Sequence, residues 1–269
     1  AKSMTSTLAA IAIREGLIAG LDAQVTDYVP ALIGSAYDGV SVRDVLRMAS
    51  GVRWNETYSD PRSDRRALLR AQISQEPGSA MAVMAALPRA APPGTVNNYS
   101  TGETQVLGEI VRGAVGKPLS DYLSEKIWAP YGMEADARWW LDSPDGIEIG
   151  GSGISATLRD YGRFGQFFLE GGMIDGVSIL PAGWTREATS PSTLKDGSAL
   201  AYGYMWWTGW TGPSAADGAY AAVGIRGQHI YINPTRKVVI VTFGAQPKPV
   251  GREPIDAMVF FDAVAASLD

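Results

Sequence analysis

Cysteine is missing from all 269 residues, and His229 is the single histidine. The first absence removes disulfides, thiol nucleophiles and thiolate metal sites together. The second leaves too few imidazoles for a zinc site of His and Cys ligands, so neither a metal nor a cofactor is expected. Positive charge is also short: 23 Lys and Arg against 28 Asp and Glu leave a net charge of −5. A chain that binds by neutralising phosphates needs the opposite balance, so no nucleic-acid partner is expected. No apolar run approaches the ~18 residues of a membrane-spanning helix, and no membrane association is expected. The compartment stays open, because a chain without cysteine suits cytoplasm and periplasm equally.

Familiar catalytic motifs are scarce too. A nucleotide-phosphate loop needs G-x-x-x-x-G-K-[ST]; "VRGAVGKP" has Gly116 and Lys117 but Val111 and Pro118 at the defining ends. A nucleophile elbow needs Gly on both sides of its Ser. Ser152 has Gly150 before it and Ile154 after it, so that spacing fails. His229 falls in an expected strand and reads as structural, because no strong Ser motif pairs with it. No pair of the 28 acids flanks an evident aromatic cleft, which disfavours two-carboxylate glycosidase chemistry.

What is present is the composition of an ordinary globular protein, 46% hydrophobic and 19% charged. Its size fits one two-lobed domain. Residues 3–15 carry Leu8, Ile11 and Ala12 at helical spacing before Gly16. "SVRD" at Ser41–Asp44 is a capping box that opens a short helix ending at Gly51. Residues 53–78 read as a long loop with some helix. Within them Arg62, Arg65, Arg66 and Arg70 read as a solvated face. Helices are expected over 79–87, 102–113 and 119–128, the last closed by Pro130. The period then changes. Residues 202–208, 219–225, 229–233 and 238–244 are rich in β-branched and aromatic residues, with a hairpin turn at "NPTRK". A closing helix is expected over 254–267. The chain therefore reads as α+β: an antiparallel β-sheet flanked by helices, plus a mostly helical region. The division falls between residues 1–172, mostly helical, and 173–269, the strands and closing helix.

Serine chemistry with lysine or tyrosine as base remains. In an S-x-x-K motif the Ser and Lys share one helix face, and burial lowers the Lys pKa so that it can take the Ser proton. The chain opens "AKSMTSTLAAIAI", a small-residue apolar helix with Lys2 at its start. This resembles such a motif from its later positions onward. "LDAQVTDYVPAL", "VSVRDVLRMASGVRW", "PPGTVNNYSTGETQVLGEIVRGAVGKPLSDYLSEKIWAPYGM" and "SGISATLRDYGRFGQFFLEGG" are similar to successive blocks of the penicillin-recognising serine hydrolases. The likeness runs the length of the chain. It is strongest to the 6-aminohexanoate-dimer hydrolase and class C β-lactamase-like esterase branch, whose strand pair "VGIRGQHIYINP" resembles.

The resemblance implies a hydrolase of linear amides or esters acting through an acyl-enzyme. Its Ser is expected three residues before Lys2, in an N-terminal segment of the same protein. Lys2 matches the motif lysine. Tyr99 matches the Tyr of Tyr-x-Asn, a proton relay that works best if nearby positive charge pulls its pKa down. Thr101 stands where that motif has Asn, and no Lys-Thr-Gly is present, which argues against a lactamase or D-Ala-D-Ala peptidase. Ile225 takes the role of backbone oxyanion donor, and Arg226 either anchors a substrate carboxylate or faces solvent. Trp139 and Trp140 fall where relatives build the acyl-pocket wall. A catalytically silent binder of peptide- or lactam-like ligands is the alternative. Ser192 and Lys195 form a literal S-x-x-K, but between Pro191 and Gly197 and without a buried helix.

Overall fold

The computed structural model describes residues 1–251 and 256–268. Helix α1 (Lys2–Arg14) is buried over nearly its whole length, Ser3 to Ala12. A buried helix must still satisfy its hydroxyls. Ser3 Oγ donates to the Met205 carbonyl, Thr5 Oγ1 to Gly150 and Ser6 Oγ to Tyr204, each at 2.8 Å. These bonds fasten the first turns of α1 to two distant loops.

Five helices follow: α2 (Val25–Tyr28), α3 (Val42–Leu46), α4 (Asp64–Ile73), α5 (Ser79–Ala85) and α6 (Thr101–Val115). Helix α6 lies along α1 and also touches α2, α3, α4 and α5, so it is the spine of the helical region. Its Val106, Leu107, Ile110 and Val111 are buried, which is the apolar face expected from their spacing. Helix α7 (Leu119–Leu123) runs on into a π turn over Ser124–Trp128.

The hairpin β1 (Arg138–Trp139) with β2 (Ile154–Ser155) leads to α8 (Leu158–Leu169). Two more small hairpins, β3 (Met173–Ile174) with β4 (Val177–Ser178) and β5 (Ser192–Thr193) with β6 (Ala199–Leu200), flank α9 (Trp184–Thr189). After α10 (Pro213–Ala216) come β7 (Tyr220–Gly224), β8 (Gln228–Asn233) and β9 (Val238–Thr242), an antiparallel sheet with β8 central. Helix α11 (Ala257–Ala266) closes the described chain; positions 254 and 255 of the expected helix lie outside the described residues.

Alternation along β8 sorts its two faces. Ile230 and Ile232 join the main core. Tyr231 faces the other way and stacks on Phe261 of α11, ring centroids 4.8 Å apart. Helix α8 packs on the first face, against β8 and β9. Gly165 permits this approach, since a Cβ there would stand 2.6 Å from Val239 Cγ1. The result is the α+β layering expected: helix, antiparallel sheet, helix, beside a helical region. The main core draws on residues from both sides of position 172.

Four expectations need correction. The capping box at Ser41 and Asp44 is present, but α3 ends at Leu46 because Met48 turns the chain with a φ of 54°. Residues 202–208 are not a strand. Tyr202 and Trp207 bridge each other around Met205, whose carbonyl and that of Tyr204 are already held by α1. Only Trp207 reaches the sheet, exchanging backbone bonds with Ala221 at 2.9 and 3.0 Å. The helix expected over 119–128 is α-helical only as far as Leu123. Finally, Arg62, Arg66 and Arg70 are exposed, whereas the Arg65 side chain keeps only 12% of its surface.

Candidate active site

A cavity of about 540 Å³ opens where the first turn of α1 meets the sheet. Its walls come from α1, the Glu56–Tyr58 loop, Arg65 of α4, Tyr99, the Gly151–Ile154 loop, the 202–207 loop and β7 to β9. The wall is mostly apolar, with Tyr161, Phe164, Val241 and Phe243 on one side.

Lys2 sits at its floor. Its Nζ donates to the Gly151 carbonyl at 3.0 Å and lies 5.6 Å from the centre of the Tyr99 ring. Its ammonium, surrounded by protein, has its pKa pushed down to about 8. Burial is the main cause; the Glu56 carboxylate opposes it and the Arg65 guanidinium adds to it.

Tyr99 is placed by the segment before α6. Asn97 Nδ2 donates to the Arg47 carbonyl at 2.8 Å and Asn98 Nδ2 to Trp54 at 3.1 Å. Ser100 then caps α6, its Oγ accepting from the Glu103 N–H at 3.2 Å. The Tyr99 ring lies 5.2 Å from Trp207 and meets Tyr202 edge-on at 5.9 Å. Its pKa moves upward, opposite to the direction expected from nearby cations. Burial is the first cause and Glu56 the second, and the opposing pull of Arg65 is smaller. Lys2 and Tyr99 are thus shifted in opposite directions by the same burial, the ammonium downward and the phenol upward.

Glu56 is the carboxylate of the cavity. Its Oε2 accepts from Trp54 Nε1 and from the Thr101 N–H at 2.9 Å; its Oε1 accepts from Thr101 Oγ1. Thr101 thus spends its hydroxyl on Glu56. Among the described residues no group of His, Cys, Asp and Glu is arranged to hold a metal ion.

The beta-lactamase family matches residues 1–265. The chain belongs to that family. It is 32% identical over 265 residues to the 6-aminohexanoate-dimer hydrolase of Paenarthrobacter ureafaciens, spanning 92% of this chain and 65% of that protein. It is 31% identical over 132 residues to a D-aminopeptidase of Brucella anthropi, spanning 42% of this chain and 24% of that protein. The chain therefore spans no more than about two thirds of these curated relatives. Among solved structures, a Bacillus anthracis protein provisionally assigned as a 6-aminohexanoate-dimer hydrolase superposes with a TM-score of 0.84 at 26% identity, over 100% of this chain and 72% of that one. A class C beta-lactamase superposes at 0.67 with 21% identity, over 99% and 79%, and carries the fold alone.

Within this beta-lactamase fold, Lys2 and Tyr99 meet in one cavity, and Ile225 stands at its rim, 39% exposed. Three other expected residues do not join them. Arg226 lies in the turn between β7 and β8 with a φ of 64°, and its Nη1 donates to the carbonyls of Gln246 and Pro247 at 2.8 and 2.9 Å. Its Nη1 is thus held by the segment after β9, and Arg226 is not among the residues that line the cavity. Trp139 turns its Nε1–H back to the carbonyls of Ile149 and Ser152. Trp140 is 63% exposed. Neither lines the cavity; their hairpin supports the Gly151–Ile154 loop from outside.

The S-x-x-K at Ser192 and Lys195 is also elsewhere. Ser192 lies in β5, and Lys195 pairs with Asp44 at 3.2 Å. His229 does line the cavity, its Nδ1 3.0 Å from Thr242 Oγ1 and its ring edge-on to Phe261. Sequence reasoning missed Glu56, Tyr58 and Arg65. Glu56 is one acid in a loop and carries no pattern. Arg65 had a signal: it stands three residues before Leu68 and seven before Gln72, on the buried stripe of α4.

Proposed function

We propose that the intact protein is a serine hydrolase that cleaves a linear amide or ester through an acyl-enzyme. Its nucleophile is a Ser three residues before Lys2, one helical turn away on the same face. The observation that carries this reading is the juxtaposition of a desolvated Lys2 ammonium and the Tyr99 ring in one cavity.

The division of labour follows from the two pKa directions. Neutral Lys2 takes the proton as the Ser oxygen attacks the carbonyl carbon. The Tyr99 hydroxyl, which holds its proton, donates to the departing amine or alkoxide and is reprotonated from Lys2. The Ile225 N–H and the nucleophile's own N–H hold the oxyanion, each donor contributing about 3 kcal/mol. Water then attacks the acyl-enzyme over the same path. The apolar wall of Tyr161, Phe164, Val241 and Phe243 suits an alkyl chain. The missing Lys-Thr-Gly, and a Thr101 committed to Glu56, favour this reading over a lactamase.

The test is hydrolysis of a p-nitrophenyl alkyl ester by the full-length protein, its Lys2→Ala variant and its Tyr99→Phe variant. Losing either proton carrier should cost about 10²–10⁴ in kcat. Near wild-type turnover by Tyr99→Phe contradicts the relay. Binding of esters without any turnover by the wild type points instead to a silent binding member.

A further inference from the structure

We infer that Glu103 is a positioning residue that holds Tyr99 at the cavity. The inference rests on the hydrolase reading above and adds to it a residue that touches neither substrate nor nucleophile.

Glu103 sits in the first turn of α6, just after Tyr99 and Ser100, and keeps only 2% of its surface. It does not line the cavity. Burying a carboxylate strips water from both oxygens, and here only one is compensated. Oε1 accepts from Ser50 Oγ at 2.6 Å and from Tyr37 OH at 3.1 Å, whereas Oε2 is buried without a partner. Ser50 and Tyr37 are themselves buried. Apolar groups of the same shape would avoid that cost, so stability accounts poorly for the cluster.

What the cluster joins gives it a task. On one side is α6, whose cap Ser100 follows Tyr99 directly and accepts the Glu103 N–H. On the other is the turn at 47–51. Ser50 Oγ also accepts from the Val52 N–H at 3.1 Å, so its bond to Glu103 fixes the turn itself. That turn carries the segment that leads into Tyr99. The Asn98 N–H donates to the Met48 carbonyl at 2.8 Å and the Gly94 N–H to that of Ala49 at 2.7 Å. The Ser100 N–H reaches Met48 Sδ at 3.4 Å. Met48 holds a φ of 54°, a conformation that a residue other than glycine keeps only where its surroundings enforce it. The anchor therefore runs from Glu103 through Ser50 and the turn to Asn98 and Tyr99. Trp207 and Tyr202 meet the Tyr99 ring, and Glu103 fixes the backbone that carries it. Without that link the turn can shift against α6, and a displacement of about 1 Å is enough to spoil a proton relay.

The experiment is a double-mutant cycle in the full-length protein, read as hydrolysis of a p-nitrophenyl alkyl ester. Glu103→Ala should lower kcat about 10–100-fold while KM changes by less than about threefold. In the Tyr99→Phe background the same substitution should cost less than about threefold, because no relay is left to misplace. Glu103→Gln keeps an acceptor for Ser50 and Tyr37 and should stay within about threefold of wild type. If the Ala variant does not fold, Ser50→Ala removes the shorter bond alone and takes its place. An equal loss in both backgrounds overturns the inference, since a general loosening of the fold acts whether or not the Tyr99 hydroxyl is present. So does a variant with wild-type kcat. Amide hydrogen exchange gives a readout independent of the reaction. The variant should exchange about tenfold faster at Asn98 and Gly94, with Leu8 in α1 unchanged. If the wild type hydrolyses no ester but exchange rises at those two amides, the hydrolase reading fails and the Glu103 anchor stands. Unchanged exchange there overturns the anchor.

Discussion

Lys2 Nζ and the Gly151 carbonyl oxygen stand 3.0 Å apart, and the backbone that carries that oxygen lies directly on α6. The close approach depends on two glycines. A Cβ at Gly150 would stand 2.5 Å from the Thr104 carbonyl, and one at Gly151 would stand 2.8 Å from that of Thr101. Gly151→Ala should therefore push the loop off the helix and take the acceptor away from Lys2. Expected are a loss of about 10–100-fold in ester hydrolysis from misplacement and about 1–3 kcal/mol of stability from overpacking. Steady-state kinetics and a thermal melt check both. A variant that melts lower but hydrolyses at the wild-type rate would separate the carbonyl from the function of Lys2.

The pH dependence of hydrolysis follows from Lys2. It accepts a proton only when neutral, and its pKa is pushed down to about 8. The neutral fraction grows with pH, so kcat/KM should rise through pH 8 and level off above it. Glu56 opposes the downward push, so Glu56→Gln should move this limb to lower pH. A pH–rate profile that is flat from 6 to about 9, or a Glu56→Gln limb that moves upward, contradicts Lys2 as the base.

Stability should carry a separate signature from Glu103. This buried carboxylate accepts from Tyr37 OH at 3.1 Å and Ser50 Oγ at 2.6 Å. Burial nevertheless pushes its pKa up to about 7 from 4.5, those two hydrogen bonds opposing the shift. Below the unfolded value both states hold the proton and nothing is lost. Between the two values the folded state holds more protons than the unfolded one, so stability falls as pH rises, by up to about 3 kcal/mol, and stays down above pH 7. Urea unfolding at pH 5 and pH 8 measures the difference. Glu103→Gln should flatten the dependence in this window; an equally steep variant assigns it to another group.

Much of this arrangement was legible in the sequence, for identifiable reasons. Helix periodicity marked α1 and α6, and the Ser41–Asp44 capping box marked α3, because these signals are local. Tyr99 stood out through its block of neighbours. The 202–208 segment misled, because its aromatic run suits a strand while its carbonyls are claimed by Ser3 and Ser6, about 200 residues away in sequence. Arg226 and the Trp139–Trp140 pair misled in the same way. Their residue types suit a site, but only the tertiary path decides which side chains reach the cavity. Arg65 was hidden by its own neighbours, since four arginines within nine positions read as one exposed face.

The central claim is that Lys2 and Tyr99 serve a serine one turn before Lys2. A fluorophosphonate probe tests it most directly, because labelling requires an ordered Ser and a working oxyanion hole. The full-length protein is labelled, digested and read by peptide mass spectrometry. The predicted result is stoichiometric modification of a Ser three residues before Lys2, abolished in Lys2→Ala. Modification of Ser192 or another Ser within residues 1–269, with ester hydrolysis lost in step, would contradict the account and move the active site elsewhere.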